Sequence, residues 1–302
     1  MSTSQFSRLQ KWANTTVEEL YIFFTITMLK SRVKKLTLAE YWTKDPLIAT
    51  HQFSNYMSRD RYLLLLRILH FNDNTTQIPG ERLHKLKPII DHLRNTYSSV
   101  FVPFQNICID ESLVLFKGRL QILQYIPSKR HRFGIKVFII CDCETGYVLD
   151  FIVYTGATTD IVPTRELGVS GAVVETLMKN YLQKGHTLYL DNWYSSPLLF
   201  DWLHKNGTNA CGTVRKNRKQ MPTLNNKLQK GQIESKHTDI MVAIKWLDRR
   251  EVCMLTTIHK DTMEKTGKTD RRTNTPVLKP ACVIDYNKNM GAVDRTDMML
   301  SS

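Results

Sequence analysis

The spacing of apolar and polar residues divides the chain into a helical first third and a β-rich remainder. Thr16 and Glu19 have the spacing of a capping box ahead of the apolar run 20–29. This pattern predicts a helix that begins there and continues to about Lys35. A shorter helical segment around 38–42 should end before the following proline, because a residue that precedes proline is pushed out of the α region.

Two further helices complete this first part of the chain. Ser58, with Asp60 in the first turn, predicts the N-cap of a strongly apolar helix over about 59–71. A polar loop over 72–80 and a helix over about 86–98 follow. We therefore expect the first hundred residues, approximately, to form an α-helical unit.

A strand is predicted over 107–116, where apolar residues become frequent on both faces. Alternation places Glu111 on one face with Ile107, Ile109, Leu113 and Leu115, and Asp110 on the other with Cys108, Val114 and Phe116. Asp110 should thus be partly buried. Burying an unpaired carboxylate is costly, so a metal, a base or a polar cleft should adjoin it.

The next elements predict the fold class. Two apolar runs separated by a short loop indicate an antiparallel hairpin, and they are followed by a helix, a strand, a helix and a strand. These elements lie at 134–142, 147–154, 170–183, 186–191, 195–205 and 209–214. Three antiparallel strands followed by α, β, α and β are the order of an RNase H-like fold. We predict an α/β protein with an RNase H-like mixed sheet flanked by helices, preceded by an α-helical domain.

The alternation of predicted helices and strands is interrupted after residue 214. Strands are expected at 240–247 and 251–258 within a polar stretch that we interpret as an insertion. Asn289 is predicted to cap a final helix on which Asp294 and Asp297, three residues apart, share one face.

Charge narrows the choice of partner. The 302 residues include 42 Lys and Arg against 28 Asp and Glu, a formal net charge of +14, which favours nucleic acid or an acidic membrane. The longest apolar run is too short for a membrane-spanning helix, which needs about twenty residues. Residues 1–15 lack a signal-peptide pattern, so we expect an intracellular protein.

The six cysteines include no Cys-x-x-Cys pair, so the sequence indicates neither a disulfide framework nor a zinc site. We expect most of them to be small buried hydrophobic residues.

Three aspartates on separate predicted elements, Asp110, Asp191 and Asp294, are candidates for a metal site. Hard Mg²⁺ or Mn²⁺ prefers oxygen ligands, and two ions roughly 3.5–4 Å apart suit phosphoryl transfer. Each residue also has a structural interpretation. Asp191 could equally cap the following turn, Asp294 and Asp297 could be solvated helix residues, and Glu111 more readily pairs with a base than with metal.

Basic side chains follow Asp110 closely and recur after the last predicted strand. The first group is Lys117, Arg119, Lys129, Arg130, Arg132 and Lys136, and the second is Arg215, Lys216, Arg218 and Lys219. Interleaved Tyr125, His131 and Phe133 favour a nucleic-acid groove for the first group over a solvated hairpin surface. The second group could contact phosphates or act as a nuclear import signal.

Five stretches carry a resemblance to a known family. They are MSRDRYLLLLRILHFND (57–73), IDESLVLFKGR (109–119), YIPSKRHRFGIK (125–136), LYLDNWYSS (188–196) and MGAVDRTD (290–297). In this order they resemble the piggyBac transposase family over almost the entire chain.

The resemblance implies a DDE/D catalytic site of Asp110, Asp191 and Asp294, with Asp297 as a further acidic residue. It implies two Mg²⁺ or Mn²⁺ ions, nicking of double-stranded DNA, hairpin formation and joining at TTAA sites. A nuclear homodimer is expected, with no membrane partner.

The resemblance also assigns roles to four regions. They are a helical dimerisation and DNA-binding region (1–105), an RNase H-like catalytic core (106–214), an insertion domain (215–288) and the final catalytic helix (289–302). Family members continue well past the last aspartate, usually into a Cys/His-rich zinc-binding segment, so a chain that ends at Ser302 is expected to lack these parts. Three hypotheses therefore stay open: a transposase, a domesticated non-catalytic DNA-binding protein derived from one, and a shortened product that folds only in part.

Overall fold

The computed structural model describes residues 12–127, 132–269 and 274–301, with side chains through Met298. The chain divides into two compact units, Met1–Thr75 and Thr76–Ser302. None of the helices in these described ranges combines the length and apolarity that crossing a bilayer requires.

The first unit is helical, and two of its helices begin at the predicted caps. Thr16 Oγ1 accepts a hydrogen bond from the Glu19 N–H at 3.2 Å, and Ser58 Oγ accepts one from the Arg61 N–H at 3.2 Å. The helices are α1 (Val17–Arg32), α2 (His51–Tyr56) and α3 (Arg59–Ile68), with a 3₁₀ helix at Leu38–Trp42. The α2 helix was not predicted, since HQFSNY buries only Phe53.

Aromatic side chains form the core of this unit. The ring of Phe23 packs 5.0 Å from that of Tyr62, and the rings of Tyr41 and Phe53 are 4.8 Å apart. Arg61 donates from Nε and Nη2 to the two carboxylate oxygens of Glu19, each at 2.6 Å, and this pair connects α3 to α1. The arginine lowers the pKa of Glu19 to about 2.

In the described part of the second unit, nine strands form one mixed sheet, ordered β2-β3-β1-β5-β6-β9-β8-β7, with β4 paired to β3 beside β2. The strands are β1 (Asn106–Leu115), β2 (Leu123–Tyr125), β3 (Phe133–Asp142), β4 (Val148–Val153), β5 (Thr187–Leu190), β6 (Asn209–Thr213), β7 (Ile233–His237), β8 (Val242–Leu247) and β9 (Glu251–Thr256).

The strand order confirms the predicted fold class. The strands β4, β3 and β1 are antiparallel neighbours, and β5 and β6 then continue parallel to β1. The helices α5 (Gly168–Met178) and α6 (Pro197–Lys205) connect the parallel strands, and α4 (Lys87–Val100) packs on β4. This is an RNase H-like mixed sheet flanked by helices.

The sheet is covered on both faces, as the alternation in β1 predicted. Ile107 and Ile109 enter a core with residues of α5 and α6, whereas Cys108 enters a second core beneath α7 (Ala281–Asn289) and α8 (Ala292–Ser301). All six cysteines are buried, as expected.

The stretch after β6 extends the sheet. Its β9 pairs antiparallel with β6, and β8 and β7 follow outward, which confirms strands near the predicted 240–247 and 251–258. A separate hairpin joins β10 (Met263–Thr269) to β11 (Pro276–Pro280). Neither β7 nor β10 was predicted, because IESKH and MEKTGKT are too polar to show a buried face.

The prediction that Asn289 caps the final helix is wrong. Asn289 is the last residue of α7, where its Nδ2 donates to Asp285 Oδ1 at 2.9 Å. A new helix, α8, begins at Ala292 after Gly291. The buried Asn289 side chain therefore donates within its own helix, while its Oδ1 accepts from Asn106 Nδ2 at 3.4 Å, and the chain turns at the glycine.

Candidate active site

Asp110 and Asp191 lie at the same level of two neighbouring parallel strands. The register of β1 and β5 pairs Ile109 with Leu190; Asp110 is the next residue of β1, and Asp191 is the first residue after β5. Parallel neighbours lie about 4.8 Å apart. Asp110 follows Cys108 by two residues on β1, so it faces the core beneath α7 and α8. The charges of both aspartates act on Tyr286 of α7, which lies on that side of the sheet.

The turn after β5 orients Asp191. Its Oδ1 accepts the Trp193 N–H at 2.8 Å, and its carbonyl oxygen accepts the Ser195 N–H at 3.1 Å. The predicted turn-capping role is thus present. Burial raises the pKa of Asp191, the negative charge of Glu111 adds to this increase, and Arg215 opposes it.

Asp110 is half-buried, and its Oδ1 accepts the N–H of Glu111 at 2.8 Å. Two tyrosines that the sequence did not single out adjoin both aspartates. Burial raises the pKa of Tyr286 to about 12, with contributions from Asp191 and Asp110. Burial likewise raises the pKa of Tyr194, with contributions from Glu111, Asp110 and Asp191. Tyr194 lies within the LYLDNWYSS stretch, whereas no local pattern marks Tyr286.

The last helix reaches the same strand. Ser112, two residues beyond Asp110, donates to Asp297 Oδ1 at 2.5 Å. Asp294 is exposed, and its side chain forms no hydrogen bond or ion pair within the described residues. The structure therefore brings Asp110 and Asp191 together and links Asp297 to β1, while Asp294 is held only through its place on α8.

Two contacts fasten α8 to the turn between β3 and β4. Arg295 Nη2 donates to the carbonyl of Cys143 at 2.6 Å, and Thr296 Oγ1 donates to that of Gly146 at 2.9 Å. Val293 is buried in the core beneath the helix.

The chemistry of the aspartate pair fits a hard divalent cation, but the pair alone is not a complete ligand set. Its donors are carboxylate oxygens, and a cation would stabilise the charged form of the half-buried Asp191, whose pKa is raised by burial and by the nearby Glu111 carboxylate. Across ranges 12–127, 132–269 and 274–301, however, no three His, Cys, Asp or Glu side chains converge into a complete metal site.

The prediction that Glu111 pairs with a base is confirmed, and the base is Lys136. The Oε2 of Glu111 lies 3.4 Å from Lys136 Nζ, and the Lys136 side chain is only 18% exposed. The other described basic residues of the first group, Lys117, Arg119 and Arg132, are exposed. Lys129, Arg130 and His131 lie outside the described residues.

The second basic group lies beside the Asp191 turn. Arg215 Nε donates to Asn192 Oδ1 at 3.2 Å, and Arg218 Nη2 donates to the carbonyls of Asn192 and Trp193 at 2.6 and 2.7 Å. The two remaining members, Lys216 and Lys219, are exposed. Part of this run therefore supports the turn itself.

Comparison with known proteins identifies the family. A family model described as transposase IS4 matches residues 1–302. Human PiggyBac transposable element-derived protein 3 is 27% identical over 296 residues, which cover 93% of this chain and 49% of that protein. Human PiggyBac transposable element-derived protein 2 is 24% identical over 304 residues, 95% of this chain and 50% of that protein.

A solved structure shares the fold. The cryo-EM structure of a piggyBac transposase synaptic complex with hairpin DNA superposes with a TM-score of 0.79 at 24% identity, covering 100% of this chain and 61% of that one. The chain spans about half the length of the curated relatives that it matches. The chain belongs to the transposase IS4 family and is a piggyBac-type transposase domain.

Proposed function

We propose that this chain carries the catalytic core of a piggyBac-like DDE/D transposase, which cleaves and joins DNA strands with the help of divalent metal ions. The observation that carries the proposal is the parallel pairing of Ile109 with Leu190, each directly before one of the two aspartates, together with α8, which packs on the face of β1 that Asp110 shares. Neighbouring parallel strands are a rigid support for two carboxylates that must share one substrate phosphate.

Asp110 and Asp191 would hold Mg²⁺ or Mn²⁺, and α8 would supply Asp294 and Asp297. When bound, a pair of such ions activates the attacking oxygen and stabilises the leaving one. The protein contributes fixed carboxylates: the Glu111 N–H orients Asp110, and the Trp193 N–H orients Asp191.

Double-stranded DNA is the proposed substrate, with TTAA as the proposed target and the nucleus as the place of action. The net charge of +14 and the exposed basic side chains support this assignment. The exposed members of the two basic groups are Lys117, Arg119, Arg132, Arg215, Lys216 and Lys219. The aromatic rings of Tyr125 and Phe133, packed 4.8 Å apart and half-exposed, add a surface on which bases could stack.

We propose a homodimer formed through the outer face of α1. Four apolar side chains there have the 4-3-4 spacing of a coiled-coil seam and are exposed: Val17 (64%), Tyr21 (70%), Phe24 (38%) and Met28 (72%). Exposed Glu18 and Arg32 lie at opposite ends of the helix. A second copy packed antiparallel would place each carboxylate beside the partner copy's guanidinium, as a two-fold interface requires.

A non-catalytic DNA-binding protein derived from a transposase is the second candidate. The observation that favours it is Asp294, which is exposed and whose side chain forms no hydrogen bond or ion pair within the described residues.

Strand nicking distinguishes the two functions. Nicking of labelled duplex DNA is measured with Mg²⁺, Mn²⁺ or EDTA for the wild type and for Asp110→Asn, Asp191→Asn and Asp294→Asn. The control is Asp239→Asn, which lies in the exposed turn between β7 and β8. Metal-dependent nicking that only the control retains supports the transposase. Equal nicking by every protein contradicts it, and salt-sensitive binding without nicking supports the second candidate.

A further inference from the structure

We infer that Lys136 is a positioning residue for the two aspartates and not a DNA contact. This inference rests on the proposed function of Asp110 and Asp191. Lys136 belongs to the basic group that the sequence assigned to DNA, yet its surroundings differ from those of Lys117 and Arg119.

The ammonium group of Lys136 is covered by protein. Its side chain is 18% exposed, whereas Lys117 and Arg119 are exposed. It lies on the opposite side of the sheet from the aspartates, because Glu111 and Phe138, its neighbours, share the face of Ile109. A phosphate that bound near Asp110 would therefore not meet this charge directly.

An ion pair connects Lys136 to β1. Its Nζ lies 3.4 Å from Glu111 Oε2, a buried oxygen that has no hydrogen-bond partner in the part of the chain that the structure describes. Removal of the ammonium would leave this carboxylate charge uncompensated, which is costly in a partly buried position.

Three aromatic rings surround the same ammonium. Its Nζ lies 4.8 Å from the ring centroid of Phe138, 5.2 Å from that of Trp193 and 5.9 Å from that of Tyr154. Phe138 and Trp193 are stacked, with centroids 5.5 Å apart and planes inclined by 13°. Cation–π attraction is strongest for Trp and increases when the cation is desolvated, so Lys136 holds Trp193 against β3.

The two partners of Lys136, Glu111 and Trp193, each donate a backbone N–H to one of the two aspartates. Glu111, the ion-pair partner, donates its N–H to Asp110 Oδ1 at 2.8 Å. Trp193, the cation–π partner, donates its N–H to Asp191 Oδ1 at 2.8 Å. Lys136 thus joins the two residues that orient the two carboxylates, which is how outer-shell groups tune a metal site.

The test uses the full chain with Lys136→Met, which retains the aliphatic stem, and Lys136→Arg, which retains the charge. Lys117→Met is the matched control. Mn²⁺ binding is followed by electron paramagnetic resonance, and DNA binding by fluorescence anisotropy over a range of KCl concentrations. We expect Lys136→Met to weaken Mn²⁺ binding about tenfold or more, as outer-shell substitutions do, with the salt slope of DNA binding unchanged. Lys136→Arg should restore most of the Mn²⁺ affinity, and Lys117→Met should affect only the slope.

Other results overturn the inference. If Lys136→Met leaves the Mn²⁺ affinity unchanged, Lys136 does not position the aspartates. If Lys136→Met reduces the salt slope of DNA binding as Lys117→Met does, Lys136 contacts DNA. If Lys136→Met does not melt cooperatively, the double variant Glu111→Gln/Lys136→Met removes both charges and should show the same loss of Mn²⁺ affinity. A wild type that binds no Mn²⁺ refutes the proposed function, and the inference fails with it. Normal wild-type binding without an effect in the variants refutes the inference alone.

Discussion

Arg94 binds Asp150 through two parallel hydrogen bonds, Nε to Oδ1 at 2.7 Å and Nη2 to Oδ2 at 2.9 Å. The pair joins α4 to β4, and its side chains are only 19% and 11% exposed. The aspartate raises the pKa of Arg94, since the charged guanidinium is the form that it binds. The sequence showed no sign of this contact, which spans 56 positions.

Replacing Asp150 by Asn should lower the free energy of unfolding by about 3 kcal/mol or more, because the half-buried Arg94 charge loses its bidentate carboxylate partner and keeps only the exposed Asp160 at 3.9 Å. Urea denaturation measures the change. The matched control is Asp160→Asn, whose carboxylate is 77% exposed and lies 3.9 Å from the same arginine. The control should cost about 0.5 kcal/mol or less. If both variants lost the same free energy of unfolding, the Arg94–Asp150 pair would not stabilise the protein more than the exposed Arg94–Asp160 contact does.

The Glu19–Arg61 pair should make part of the stability depend on acid pH. Arg61 lowers the pKa of Glu19 from 4.5 to about 2. A carboxyl group whose pKa is lowered on folding adds stability above its unfolded pKa, and this is lost as pH falls from about 4.5 towards about 2. We expect Glu19→Gln to cost about 1 kcal/mol at pH 6, after allowance for solvent screening.

That cost should shrink as pH falls, which thermal melting between pH 6 and pH 3 would detect. Glu166→Gln, whose exposed carboxylate precedes α5 and forms no ion pair in the described part of the chain, is the control. A deficit of Glu19→Gln that stays constant with pH would exclude the charge interaction as its cause.

If the exposed apolar face of α1 forms the dimer interface, substitutions on it should raise the dimer dissociation constant. Tyr21→Glu should raise the dimer dissociation constant about tenfold or more, because it places a charge at the centre of an apolar contact. Sedimentation equilibrium measures the constant.

Charge reversal tests the orientation of the two helices. Glu18→Arg should weaken the dimer, and Glu18→Arg/Arg32→Glu should restore it, since antiparallel packing pairs the two ends. Restoration would not occur in a parallel pair. A monomeric wild type would contradict the seam altogether.

Exposed basic residues near β1 should contribute to DNA affinity through phosphate contacts. Each phosphate contact adds about 0.9 to the slope of log K against log salt, so Lys117→Ala/Arg119→Ala should reduce the slope by about 1.8. Fluorescence anisotropy at several KCl concentrations gives the slope. The control is Lys205→Ala, which is exposed but paired with Asp201 at 2.7 Å. A slope that both substitutions leave unchanged would place the DNA elsewhere.

Features with a local cause were predictable from the sequence. The caps at Thr16 and Ser58 depend on a side chain and an amide three residues away. The two faces of β1 follow from the alternation of side chains along a strand, and the RNase H-like order follows from the succession of apolar runs. The positions of the three candidate aspartates on separate predicted elements were also visible in the sequence, and the resemblance of five motifs implied their catalytic role.

Only the tertiary structure decided what these residues contact. The register that sets Asp110 beside Asp191 joins strands 81 positions apart, and no local pattern specifies it. Likewise, the turn between α7 and α8 corrects the predicted role of Asn289. Lys136 is surrounded by the rings of Phe138 on β3, Tyr154 directly after β4 and Trp193 in the Asp191 turn. A charge pattern in the sequence shows that a lysine is present. Whether that lysine meets solvent, a carboxylate or an aromatic ring depends on which distant segments pack around it, and that is settled by the burial of the whole sheet.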